Sequence, residues 1–150
     1  MMPGEFTSRF DKEILKSALA EQNKKALEQA KEKAEQDRID LDVKEIGKIS
    51  ERRVPWIKER FPNAEEEKVD HLGFRFRFNQ TPERKAASLL IRVRTNESRM
   101  AIMVESQYEV PVNKVKEYDY ISLPTQKVDM EKAKRFIETK LLDFAKIYVG

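Results

Sequence analysis

Two segments carry arginine at alternate positions. Gly73–Asn79 reads GFRFRFN and Ser88–Thr95 reads SLLIRVRT, so Arg75 and Arg77, then Arg92 and Arg94, interleave with apolar residues. Guanidinium groups bind phosphate and carboxylate through paired hydrogen bonds, so four of them on one surface define a candidate anion or partner site. Alternation with period two is the pattern of a strand with one buried and one open face. The arginines fall on the open face together with Leu90. Met100–Glu109 (MAIMVESQYE) alternates likewise and adds Ala101, Met103 and Glu105 to that face. Phe74, Phe76 and Phe78 belong to the opposite side, with Ile91, Val93, Ile102 and Val104. A stacking platform for nucleic acid needs aromatic and basic groups on the same face. An apolar centre rimmed by arginine instead matches a protein-binding patch. Two explanations need no ligand: a solvated face with cross-strand pairing to Glu105, or cover by the acidic side of the first helix.

Other residue groups carry weaker chemistry. Asp40, Asp42 and Glu45 could share a hard cation, but Lys44 and Glu45 stand where a calcium loop needs a third oxygen ligand and a glycine. At a helix exit such residues serve as capping or hinge groups. Glu105-Ser106-Gln107 with Asp70 resembles the acidic sheet residues of magnesium nucleases, yet glutamine occupies the place of the usual lysine. His71, the single histidine, has Asp70 beside it in sequence, and on a strand the two point to opposite faces. The glycines are Gly4, Gly47, Gly73 and Gly150, which excludes phosphate-binding glycine loops, the dinucleotide fingerprint and the G-x-S-x-G elbow. Cysteine is absent, which excludes disulfides, thiol catalysis and cysteine-held metals. No cofactor, metal site or catalytic residue is expected.

The chain is of single-domain size. Its apolar residues are clustered, which argues against disorder. No apolar run nears the ~20 residues of a membrane span, and the start shows no secretory pattern, so a soluble, cytoplasmic protein without membrane partners is expected. Residues 1–68 hold 15 basic and 16 acidic side chains, net −1, and residues 69–150 hold 15 and 11, net +4. That surplus is smaller than nucleic-acid modules usually carry.

The elements that must position the arginines follow from patterning. Ser8 with Asp11 forms a capping box that opens a long helix over 8–38. The first half of that helix carries a stripe of Phe10, Ile14, Leu15, Ala18 and Leu19 expected to dock on the core. The stripe then thins to Ala26, Leu27, Ala30 and Ala34, so the second half projects or packs closely through its alanines. A coiled-coil dimer is conceivable there, although one leucine among alanines falls short of a sustained heptad. Gly47 interrupts any helix in Asp40–Pro62, and Pro55 opens a short one with Trp56 as a core plug. Asn63–Lys68 reads as a connection or helix start. An antiparallel sheet over 69–123 follows, with Pro82 in the first turn and Asn96 as the left-handed residue of the second. Pro111 demotes the segment after it to edge or loop. Glu117–Leu123 alternates and offers a fourth strand. Asp129 caps a final helix, 129–148, whose apolar stripe lies on the sheet.

The expected fold is therefore α+β: an antiparallel meander of three to four strands, a long N-terminal helix, and a C-terminal helix packed on one face. The expected function is a non-catalytic protein–protein interaction module, self-associating, using the long helix or the face formed by Arg75, Arg77, Leu90, Arg92, Arg94 and Met103. Nucleic-acid binding through the same arginines is the alternative. A metal-dependent nuclease or hydrolase comes third.

Overall fold

The computed structural model describes the backbone of residues 3–150 and the side chains of residues 8–150. The order is α1 (Pro3–Glu51), α2 (Val54–Arg60), β1 (Ala64–Glu67), β2 (Leu72–Phe78), β3 (Ala87–Thr95), β4 (Ala101–Val110), a 3₁₀ turn (Pro111–Asn113), β5 (Val115–Pro124) and α3 (Met130–Val149). This is the expected α+β meander, but among the described residues it has five strands rather than three to four, in sequential antiparallel order β1-β2-β3-β4-β5. Among the described residues no helix is long and apolar enough to cross a membrane.

Internal packing divides the chain into two compact units between Arg38 and Ile39. The described residues of the first are all helix. Ser8 lies inside it rather than at its start, and every side chain from Ser8 to Arg38 is exposed. The stripe read as a docking face is open as well, with Phe10 57% and Leu15 60% accessible.

The second unit holds the core. Ala133, Ile137, Leu141, Phe144 and Tyr148 are buried along one side of α3, the spacing of a helix lying on an apolar wall. That wall is the inner face of β2–β4, where Phe74, Phe76, Phe78, Leu89, Ile91, Val93, Ile102, Val104 and Tyr108 are buried. Phe78 sits 5.0 Å from both Phe144 and Tyr148, ring centre to ring centre, within the range of favourable aromatic pairs. The Tyr148 hydroxyl donates to the Lys85 carbonyl (2.7 Å) and accepts from Asn63 Nδ2 (2.8 Å), which fastens the last turn of α3. Asp129 caps α3 as expected, accepting from the Lys132 N–H.

Four local expectations are corrected. α1 continues through Gly47 to Glu51, because a buried glycine there lets Leu72 of β2 pack onto the helix; an added Cβ would stand 3.1 Å from the Leu72 Cβ. The helical cost of glycine, about 1 kcal/mol, is offset by the burial of Ile46 next to it and by the close approach of Leu72. Ala64–Glu67 is a strand, not a connection. In the β3–β4 turn Arg99, not Asn96, is left-handed (φ 58°), while the Asn96 side chain accepts from the Met100 and Ala101 N–H groups at 3.0 and 3.1 Å. Trp56 is only partly buried, and Phe61 takes the core position beside it.

Candidate functional site: the open face of the sheet

Register decides which residues of different strands become neighbours. Pairing sets Glu65 opposite Arg77, Glu67 opposite Arg75, Leu90 opposite Gln107, Arg92 opposite Glu105 and Arg94 opposite Met103. On the far side Glu105 faces Tyr120, Gln107 faces Tyr118 and Met103 faces Ser122. Phenylalanine and arginine do occupy contrary sides. Phe74, Phe76 and Phe78 are buried, while Arg75, Arg77 and Arg94 are exposed and Arg92, Leu90 and Met103 are half-buried.

Glu105 organises the centre. Its side chain is only 5% exposed, although it stands on the open face, because its partners cover it. Arg92 donates to Oε2 at 2.7 Å and Arg94 to Oε1 at 2.6 Å. The Tyr118 hydroxyl donates to Oε2 at 3.3 Å. Burial alone would raise the Glu105 carboxyl, but the hydrogen bonds and charges of Arg92 and Arg94 outweigh it and hold the group below its ordinary value. The carboxylate in turn raises Arg94, chiefly through the hydrogen bond. Burial first, then the Glu105 charge, pushes the Tyr118 hydroxyl up, so it remains a donor at neutral pH.

The remaining arginines differ. Arg77 donates to Glu65 at 2.8 Å in an exposed pair, a kind of contact that contributes little to stability. Arg75 has Glu67 opposite it in register, and among the described residues it has no carboxylate within 4 Å. Around these charges Leu90 and Met103 fill the centre. Tyr118 and Tyr120, 57% and 51% exposed, stand with ring centres 6.2 Å apart.

The candidate residues thus share one face, but three of the four guanidiniums already have carboxylate partners. The pairing to Glu105 is the one anticipated from alternation. Sequence reading missed the two tyrosines and the β1 glutamates. The tyrosine signal was available, since EYDYISL puts Tyr118 and Tyr120 on one side of a strand; only the register of β5 against β4 reveals which side.

The other candidates are dispersed. Asp40 pairs with Arg99, and Glu45 with Lys48 at 3.4 Å, so neither carboxylate is held toward a shared cation. Both Glu105 oxygens are taken by guanidiniums, which leaves no ligand set with Asp70. His71 Nδ1–H donates to the Leu72 carbonyl at 2.9 Å. Among the described residues no three histidine, aspartate or glutamate side chains gather as a metal site. No protein-family model matches the chain, and no curated protein or solved structure shows significant similarity to it.

Proposed function

We propose that this chain is a non-catalytic interaction module whose open sheet face engages a protein partner. The observation that carries the reading is the state of the charges on that face. Arg92 and Arg94 are committed to Glu105, and Arg77 to Glu65, while Leu90, Met103, Tyr118 and Tyr120 offer amphipathic surface between them. Tyrosine, methionine and arginine are the residues enriched at protein interfaces, and buried, internally neutralised charge lowers the cost of removing such a face from water. The test is Met103→Asp. It should leave the thermal transition and circular dichroism unchanged while abolishing capture of a specific protein that the native chain retains. Unaltered capture would remove the face from the reading.

A second reading, single-stranded nucleic acid, is supported by two exposed tyrosines on the same face as Arg75. Against it, the face carries five basic groups (Arg75, Arg77, Arg92, Arg94, Lys116) and four acidic ones (Glu65, Glu67, Glu105, Glu109), a near balance that gives little attraction for phosphate. Phosphate binding would weaken steeply with added salt, and undetectable binding to DNA and RNA at low salt would end this alternative. Self-association belongs to the first reading and is argued from a separate surface below.

A further inference from the structure

The two edges of the sheet are unlike. β1 is four residues long and three of them are glutamate, a short charged edge of the kind that discourages strand addition. β5 is ten residues long and pairs with β4 in unbroken register from Val115 opposite Val110 to Pro124 opposite Ala101. It has no bulge, and proline enters only at its last position.

Main-chain direction along β5 can be fixed from two bonds. The Thr125 N–H donates to the Met100 carbonyl at 3.0 Å, continuing the β4–β5 ladder by one step. Hydrogen-bonding direction alternates along a strand, so odd-numbered residues of β5 turn toward β4. Lys116, Tyr118, Tyr120 and Ser122 then turn their N–H and C=O groups outward. Consistent with this, the Tyr120 N–H donates to Asp119 Oδ1 at 2.8 Å, and the other oxygen of Asp119 accepts from Lys140 of α3 at 2.7 Å. A side chain thus caps one outward donor in the middle of an otherwise open edge.

We propose that this edge docks β5 of a second copy, antiparallel, about a two-fold axis at Tyr120. The strand complements itself: charge excludes an axis toward Tyr118, and strand length disfavours one toward Ser122, where Lys116 would run past the partner's Pro124. With Tyr120 opposite its own copy, Tyr118 meets Ser122, Asp119 meets Ile121, Glu117 meets Leu123 and Lys116 meets Pro124, and no like charges oppose each other. Moving the axis to Asp119 sets two aspartates face to face, and moving it to Tyr118 sets Glu117 against Asp119 twice. Like charges directly opposite each other are destabilising. The Tyr120 N–H exchanges the Asp119 carboxylate for a carbonyl of the partner strand, while Asp119 keeps Lys140. Two sheets then join edge to edge, and their open faces become continuous. The inference deepens the self-associating part of the proposed function and rests on that part alone.

The test uses the full chain, weighed by sedimentation or light scattering from micromolar to millimolar concentration. The native chain should pass from monomer to dimer. Ser122→Pro removes an outward donor at a site where an edge strand tolerates proline. It should weaken the dimer about tenfold or more, corresponding to the loss of a symmetric pair of hydrogen bonds. Asp119→Ala uncaps the edge and should tighten the dimer several-fold. Met103→Asp should leave the dimer unchanged, so failure of the partner face and failure of the edge are separable. Amide exchange gives a readout independent of any variant: Tyr118, Tyr120 and Ser122 should become protected with rising concentration, while their odd-numbered neighbours are protected throughout. A monomer at every concentration, or a dimer indifferent to Ser122→Pro, would overturn the proposal.

Discussion

On the inner side of the sheet, Phe74, Phe76 and Phe78 are buried in the core, Phe78 against Phe144 and Tyr148 of α3; on the outer side the same strand carries Arg75 and Arg77. The inner contacts are non-directional, and any well-fitting apolar neighbour would serve. The outer contacts are directional and depend on which strand stands opposite. Arg77 has Glu65 because β1 pairs with β2, and Arg92 and Arg94 share Glu105 because β3 pairs with β4. One side is therefore specified by residue type, the other by register.

The largest expected effect tests the inner side. Phe76 is fully buried, so Phe76→Ala should lower unfolding free energy by about 3–5 kcal/mol. Arg75→Ala, one residue away, should change it by less than about 0.5 kcal/mol; chemical denaturation of the pair measures the contrast directly. Comparable losses would mean that the two sides are not organised differently.

Next comes Glu105, the outer residue that behaves like a core residue. Glu105→Gln should cost about 1.5–3 kcal/mol, the range for hydrogen bonds to a charged group. The sign of its pH dependence follows from its lowered carboxyl value. The folded state holds the proton less tightly than the unfolded chain, so the ionic contribution is complete at neutral pH. It is lost as pH falls below the ordinary glutamate range and on through the folded value. Denaturation curves of native and Glu105→Gln chains should therefore converge in acid, and a constant gap would show that the carboxylate charge is not what stabilises the cluster.

The smallest effect concerns the inner residue that breaks its own rule. Ser106 is buried on the inner face, and among the described residues its hydroxyl has no hydrogen-bond partner. Removing a buried, unpaired polar group relieves a desolvation cost, so Ser106→Ala should raise stability by about 1 kcal/mol, measured by the same denaturation experiment.

This division also explains what could be read from the chain before its coordinates. Alternation located β2, β3 and β4, separated phenylalanine from arginine, and picked out Glu105 as the cross-strand partner, because burial follows from residue type at period two. β1 escaped because a run of glutamates has no strand propensity of its own; Arg77 and Lys58 hold Glu65 and Glu66 from outside the segment. Tyr118 and Tyr120 were visible as a pair, but their side of the sheet depended on a pairing that local sequence does not encode. The extent of α1 was misjudged for a related reason: a glycine unfavourable to an isolated helix was favoured by a contact twenty-five residues along the chain.

That contact has an evolutionary corollary. Position 47 and position 72 divide one small volume between helix and sheet, with the helix contributing backbone and the strand contributing a branched side chain. A homologous chain with any side chain at 47 would meet the Cβ of residue 72, an atom every residue but glycine keeps, so helix and strand would have to part by a few tenths of an ångström. Glycine at 47 facing a side chain at 72 therefore offers a fingerprint for recognising distant members of this lineage after overall identity has faded.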